Sequence, residues 1–351
     1  MPDLHVGLLY GGQSAEHDVS ILSARNVRAA LGDRYRVTPI YITRDGRWLV
    51  GDSSRLGEGT EAGAVVAFAP QSGASTVSAS GLGALGLDVV FPVLHGHNGE
   101  DGTVQGFLHT LGLPFVGPDV LASAACMDKA VTKKLLEAAG IPGTPTVVVR
   151  AHEERPSFAD VTARLATPLF VKPSNSGSSV GITRVDDAEA FGPALDLAFQ
   201  YDRTVLVEQG VSGREIEVAV LGNEHPEASL PGEIVITSAF YDYDAKYEDP
   251  DASRMEVPAD LPDDTIENLR RMAVEAFAAL GCEGLARVDF FVTDGGEVLV
   301  NEINTIPGFT LRSMYPVMWE ATGRSQPQLM DDLIRLALDR HQRDGARRFT
   351  R

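Results

Sequence analysis

The chain has 351 residues, 44% of them hydrophobic and 23% charged, with 35 Gly and 20 Pro. Those fractions exclude collagen-like, disordered and miniprotein classes, and at roughly 100 to 200 residues per domain the length implies two or three units. Lys plus Arg number 30 against 49 Asp plus Glu, a net charge of -19, so the surface repels nucleic acid and anionic membranes, and any bound polyanion must meet a local convergence of basic residues.

Residues 4 to 10 form an apolar run closed by Gly11 and Gly12, without the basic flank of a signal peptide, and read as a first strand. A helix follows within Ala15 to Leu31, with Val19, Leu22 and Val27 at helical spacing. Arg36 to Ile42 and the apolar Asp88 to Leu94 give further strands, Asp101 to Leu111 a helix, and Pro114 to Val116 a short strand. Strands alternating with helices predict a doubly wound parallel sheet over residues 1 to 120, with the Gly-, Ala- and Ser-rich stretch Gly51 to Gly86 as a variable surface region.

After Gly117 and Pro118 comes a helix over Lys129 to Ala139, then strands at Thr146 to Val149, Leu169 to Lys172 and Thr204 to Glu208, with helices near Phe158 and Phe191. This predicts a small α+β unit over 121 to 212. A third unit, 213 to 351, opens with a strand over Glu215 to Leu221. It then holds a helix over Thr265 to Leu280 with Ile266, Leu269, Ala273 and Phe277 on one face and Gly281 as its cap. Strands at Gly284 to Phe291 and Glu297 to Ile303 and a helix over Gln328 to Arg340 complete it. No run reaches the roughly 20 apolar residues of a membrane span. Cys126 and Cys282 belong to no metal or CxxC pattern, which fits a reducing, cytoplasmic setting.

Several segments carry chemistry. KPSNSGSSVG, from Lys172 to Gly181, follows a strand and can fold over phosphates, its glycines admitting backbone N–H groups and Lys172 adding a point charge. It matches neither GxxxxGK[ST] nor GxGxxG. In RVDFFVTDGGEVLVNEIN, Arg287 and Asp289 share one strand face, as do Glu302 and Asn304 on the next strand, while Val288, Phe290, Val298 and Val300 mark the core. Asp289, Glu302 and Asn304 are hard oxygen donors suited to magnesium with nucleotide phosphates; a solvated ion-paired face and glycosidase carboxylates are the alternatives. In TIPGFTLRSMYP, Gly308 can offer an N–H to a developing oxyanion and Ser313 can hold a carboxylate, or the segment is a plain turn. GGQSAEHDVS places Glu16 at a helix start, where a cap role competes. HGHNGEDGTVQG carries two histidines and two acids without zinc spacing, and His97 reads as scaffold.

Taken in order, GGQSAEHDVS, HGHNGEDGTVQG, MDKAVTK, KPSNSGSSVG, VLVEQGVSGREIEVAVLG, DYDAKYED, GLARVDFFV and NEINTIPGFT resemble the D-alanine–D-alanine ligases of the ATP-grasp superfamily over nearly the whole chain. The resemblance implies an ATP-grasp fold: an N-terminal α/β domain, a small central domain and a C-terminal domain, with ATP clamped between the last two. It implies that the carboxylate of one D-alanine attacks the γ-phosphate and that the amine of a second displaces phosphate from the acyl phosphate. Lys129 and Lys172 would then bind phosphates, Glu208 and Val211 the adenine, Glu215 the ribose, and Lys246 the γ-phosphate. Asp289, Glu302 and Asn304 would hold two magnesium ions, with manganese as a substitute, and Arg287 would stabilise the transferring group. Gly308 would donate to the oxyanion, and Ser313 with Met314 would bind the acceptor carboxylate. Glu16 would hold the first ammonium, linked through Ser178 to Tyr247, and His95 would line the donor side.

The resemblance also reads Tyr241 to Asp251 as a lid, and its Lys246-Tyr247 pair accompanies D-alanine rather than D-lactate as acceptor. Gln209, Gly210 and Arg312 depart from the usual family pattern at the adenine hinge and beside the acceptor site. D-serine or D-lactate as acceptor, a nucleotide-binding module without turnover, and an oxidoreductase are the competing readings; the last lacks GxGxxG after the first strand. A homodimer is expected from the base rate among soluble enzymes alone.

Overall fold

The computed structural model describes residues 4–51, 56, 64–65, 85–177, 180–236 and 253–348. The first unit holds β1 (His5–Gly11), α1 (His17–Leu31), β2 (Arg36–Ile42), β3 (Trp48–Val50), β4 (Ala64–Val65), β5 (Val89–Pro92) and α2 (Thr103–Thr110). Its sheet runs β4-β3-β2-β1-β5. β1 lies parallel to β2 and β5, as the alternation of strands and helices predicts, and β3 and β4 extend the edge antiparallel. Period-two alternation sends Leu8, Val89 and Phe91 toward α1 and Leu9, Ile40 and Val90 toward α2, which leaves a helix on each face.

The buried side of α1 differs from its apolar reading. Leu22 is exposed, whereas His17, Ser20, Ser23, Ala24, Val27 and Leu31 face inward. Two hydroxyls therefore sit where a purely apolar stripe would, and their partners lie in the cleft described below.

The second stretch comprises α3 (Val120–Met127), α4 (Lys129–Ala138), β6 (Thr146–Arg150), α5 (Phe158–Thr162), β7 (Leu169–Pro173), β8 (Thr183–Val185), α6 (Ala188–Ala198) and β9 (Thr204–Gln209). An antiparallel sheet β6-β9-β7-β8 packs on α5 and α6. The small-residue helix α3 lacks a clear apolar period and is invisible to pattern reading. It is started by Asp119, whose side chain accepts from Val120 N. Ala122, Cys126, Leu136 and Ile141 bury with the third unit's core rather than with this sheet.

The third stretch comprises β10 (Gly213–Gly222), β11 (Glu227–Ala228), β12 (Gly232–Ile236), β13 (Ser253–Glu256), α7 (Asp263–Ala279), β14 (Gly284–Thr293), β15 (Val298–Asn304), α8 (Met314–Ala321) and α9 (Gln326–Gly345). Its sheet runs β13-β12-β10-β14-β15, with β11 beside β10. Leu269, Met272, Ala273, Ala276 and Phe277 make the core stripe of α7, Asp263 and Asp264 complement its N-terminal dipole, and Gly281 at φ +67° ends it. Truncating the fully buried Phe277 to Ala would cost about 3–5 kcal/mol. α9 closes back on the first unit, where buried Arg340 donates to Phe115 O (2.8 Å) and to Gly117 O.

Candidate active site

β14 and β15 pair so that Arg287 faces Asn304 and Asp289 faces Glu302 across the ladder. Val298 and Val300 bury in the core, and strict alternation from them would carry Glu302 and Asn304 inward as well. A bulge prevents this: Phe290 pairs with Val300, Asn301 is skipped, and Glu302 and Asn304 turn to the face that bears Arg287 and Asp289. Glu215 and Glu217 of β10 fall on that same face, because Ile216 and Val218 fill the core.

Arg287 donates through Nε and NH2 to the two oxygens of Asp289, both at 2.7 Å, and its Nε lies 3.1 Å from Glu217 Oε2. Burial opposes its charge, but Asp289 and Glu217 more than compensate and keep the guanidinium protonated. Asn304 donates its amide N–H to Asp289 Oδ2 at 2.9 Å, leaving its carbonyl oxygen to act as a ligand. Burial would raise the Glu302 carboxyl, yet Lys129, Lys172 and Arg287 hold it at about 2. Two carboxylates and an amide oxygen on one face, partnered by cations, suit a hard divalent ion that takes further oxygens from phosphate. Among the described residues no set of three His, Cys, Asp or Glu side chains forms a metal cluster.

The basic side of the cleft comes from α4 and β7. Asp128 caps α4, accepting from Ala130 N and Val131 N, and also accepts from Ser174 Oγ at 2.6 Å, which docks the glycine-serine loop on the helix start. Lys129 thereby donates to Ser176 O (2.7 Å) and lies 3.4 Å from Glu302. Lys172 lies 2.7 Å from Glu208 Oε2, and Lys133 lies 2.9 Å from its other oxygen. Lys133 was not singled out by sequence reasoning; its position one turn beyond Lys129 on α4 was the available signal.

Glu16 occupies the N-cap position of α1 but makes no side-chain capping hydrogen bond. Its carboxylate instead lies against Gly96 and Gly177: a Cβ built on either would sit 2.9 or 3.3 Å from Glu16 Oε2. The loop that carries Ser178 thus reaches Glu16, although Ser178, Lys246 and Tyr247 themselves lie outside the described residues. Glu16, Lys129, Ser176, Glu302 and Asn304 line one cavity of about 60 Å³ together with Glu100. Glu100 is a second residue that the sequence reading did not single out. Burial and the neighbouring Glu16 push its carboxyl up to about 8.

His95 is buried, and burial pushes its imidazole below the ordinary histidine value; it meets Ile306 O at 2.9 Å and Ser23 Oγ at 3.2 Å. His97 is exposed beside Asp101, whose carboxylate accepts from Thr103 N at 3.0 Å at the start of α2. Gly308 lies in the turn before α8. That helix occupies the end of the segment that otherwise reads as a turn, because Pro316 is tolerated within a first helical turn. Ser313 Oγ accepts from Thr310 N at 2.9 Å, and a Cβ on Gly308 would lie 2.8 Å from it. Met314 buries its side chain against Gly232, so it can serve the cleft only through its backbone N–H at the helix start. Val211 is half-buried and Glu215 is exposed. The free thiols Cys126 and Cys282 meet at 3.6 Å between α3 and the end of α7.

A glycine-serine loop and lysines facing acidic strands, with an α/β unit against the same cleft, form the framework of an ATP-grasp fold. Two family models, described as the D-ala D-ala ligase N-terminus and C-terminus, match residues 5–118 and 135–335, and the chain belongs to the D-alanine–D-alanine ligase family. It is 47% identical to D-alanine–D-alanine ligase A of Escherichia coli K12 over 100% of both chains, and 48% identical to the D-alanine–D-alanine ligase of Sodalis glossinidius over 95% of this chain and 94% of that one. Among solved structures it is similar to the D-alanine-D-alanine ligase from Coxiella burnetii, with a TM-score of 0.84 and 39% identity, covering 98% of this chain and 97% of that one. The VanG D-Ala:D-Ser ligase from Enterococcus faecalis has a TM-score of 0.83 and 36% identity, covering 96% and 100%.

Proposed function

We propose that the protein joins two D-alanine molecules at the expense of ATP, releasing ADP and phosphate, to supply the dipeptide for peptidoglycan precursors. The cavity shared by Glu16, Lys129, Ser176, Glu302 and Asn304 carries this reading, since it brings together a carboxylate that can meet an ammonium, a lysine that can meet phosphate, and oxygen donors of the kind that suit a divalent ion. A carboxylate is a poor electrophile. Lys129, Lys172 and Arg287 offset the negative charge that otherwise keeps a carboxylate from a γ-phosphate, and the main contribution of the site is positioning and charge stabilisation.

Glu208 and Val211 flank the adenine, Glu215 the ribose, and Lys246 of the Tyr241–Asp251 lid the γ-phosphate. Glu16 holds the ammonium of the first D-alanine, within a relay to Ser178 and Tyr247, with His95 on the donor side. Asp289, Glu302 and Asn304 would hold two magnesium ions, or manganese, which supply charge neutralisation on the phosphates. Gly308 N–H faces the tetrahedral oxyanion formed when the second amine attacks the acyl phosphate, and Ser313 with the Met314 N–H holds the acceptor carboxylate. We divide the chain into lobes 1–120, 121–212 and 213–351, with the nucleotide between the last two. Among the described residues no helix is long and apolar enough to cross a membrane. We propose a cytoplasmic location, where the precursors of this dipeptide are made, and a homodimer, testable by sedimentation.

The test is phosphate release from magnesium and ATP on addition of D-alanine but not L-alanine, followed by D-serine and D-lactate as acceptors. Faster turnover with a mixed acceptor than with D-alanine alone would move the assignment to that acceptor.

A further inference from the structure

The turn from Thr305 to Phe309 is gripped at both ends by side chains of the first unit. Phe309 is buried in that unit's core, edge-on to Phe91 with ring centroids 6.1 Å apart. Its N–H donates to Ser23 Oγ (3.1 Å), and its carbonyl accepts from Asn26 (2.8 Å). Ser23 meets His95 Nε2 at 3.2 Å, and His95 Nδ1 meets Ile306 O at 2.9 Å. The carbonyl requires an N–H at Nδ1, so in the neutral ring Nε2 accepts from Ser23. On the other side of Ile306, its N–H donates to Glu100 Oε1 at 3.2 Å, while Gly96 N–H donates to Glu100 Oε2 at 2.7 Å.

Both peptide planes of Ile306 are therefore fixed, one by Glu100 and the other by His95. Pro307 follows with its φ locked by the ring, so the direction of the Gly308 N–H depends on little more than one torsion. Among the described residues nothing accepts that N–H. Glu100 also lines the cavity it shares with Glu16 and Glu302, and Thr305 Oγ1 donates to its backbone carbonyl at 3.4 Å.

We propose that Glu100 is a positioning residue: by tying the Ile306 N–H to the Gly96 loop it aims the Gly308 N–H at the oxyanion of the second chemical step. The inference rests on the role of Gly308 given under Proposed function. It separates Glu100 from a substrate ligand, because an ammonium partner acts on binding and on both half-reactions, whereas an aimed oxyanion donor acts on the second alone.

Glu100→Ala and Glu100→Gln are compared with wild type in rapid-quench single turnovers with ATP, magnesium and D-alanine. Glu100→Ala should form ADP within about twofold of the wild-type rate while dipeptide formation slows roughly 10- to 100-fold, a part of the loss of about 10²–10³ seen when an oxyanion donor is removed outright. Glu100→Gln keeps one acceptor oxygen and should recover part of that rate; should Glu100→Ala not fold, the same confinement of loss to the second step is read in Glu100→Gln. A phosphinate mimic of the tetrahedral intermediate should weaken in parallel, with KM for D-alanine within about twofold. Equal slowing of both half-reactions, a raised KM for D-alanine with an unchanged dipeptide rate, or wild-type rates in both variants would overturn the proposal. Failure of the wild-type protein to form ADP with D-alanine would instead remove the ligase reading.

Discussion

Replacing Arg287 by Ala is the perturbation whose consequences follow most fully from the geometry. The guanidinium holds both oxygens of Asp289 at 2.7 Å and approaches Glu217 at 3.1 Å, with side-chain exposures of 18%, 15% and 12% for Arg287, Asp289 and Glu217. Removing it strands two largely buried carboxylates, and breaking such a pair from one side costs about 3–5 kcal/mol. At about 2–4 °C per kcal/mol for a chain somewhat shorter than this one, Tm should fall on the order of 10 °C. A cation that stabilises a transferring phosphoryl group contributes about 10³–10⁵ in kcat. ADP release with saturating D-alanine should drop by that order while the variant remains folded below its lowered Tm. Magnesium with a non-hydrolysable ATP analogue should narrow the Tm gap, because a divalent ion held by Asp289 would replace the lost charge, while turnover with magnesium and ATP itself should stay low. A kcat within tenfold of wild type would refute the catalytic role, and an unchanged Tm would refute the electrostatic argument.

Gly96 has φ +70°, and a Cβ there would sit 2.9 Å from Glu16 Oε2. Gly96→Ala should raise KM for the first D-alanine by displacing that carboxylate, with about 1–2 kcal/mol of backbone strain read as a lower Tm; an unchanged KM would detach Glu16 from the substrate. Glu208→Gln strands Lys172 and Lys133, which lie 2.7 and 2.9 Å from its two oxygens, and should lower stability by about 3 kcal/mol in urea titrations. The pH dependence carries a definite sign. Burial opposes ionisation of Glu208, but Lys172 and Lys133 outweigh it and the carboxyl sits below its usual value. Its contribution is therefore complete above the unfolded value near about 4.3 and is lost as pH falls through the lower folded value. Wild-type stability should decline more steeply than that of Glu208→Gln as pH drops below about 4.3, and parallel acid profiles would contradict this.

Much of this arrangement was legible in the chain. Polar residues recurring at spacing two inside apolar strands marked Arg287, Asp289, Glu302 and Asn304, and Gly and Pro punctuation marked the turn at Gly308. What escaped reading depends on the third dimension. The bulge at Asn301 that turns Glu302 into the cleft has no one-dimensional signature, because period-two alternation predicts the opposite face. Ser20 and Ser23 occupy the buried stripe of α1, where a hydrophobicity argument looks for Val or Leu, because their hydroxyls serve Val93, His95 and Phe309. In the HGHNGEDG segment, chemistry alone could not divide the two adjacent acids. Only the fold shows Asp101 accepting from Thr103 N at the start of α2 and Glu100 reaching Ile306, 206 residues away. Likewise α3 is too lacking in period, and β8 too short, to be read without the neighbours they pack or pair with.

The central proposed event is the transfer of the ATP γ-phosphate to the carboxylate of D-alanine in the cleft lined by Lys129, Glu302 and Glu16. Turnover of D-alanine labelled with ¹⁸O in its carboxylate tests it directly, because the oxygen that attacks phosphorus departs with phosphate when the second amine displaces it. One labelled oxygen in the phosphate released per dipeptide is the expected result. Unlabelled phosphate, or phosphate release that does not require D-alanine, would contradict it.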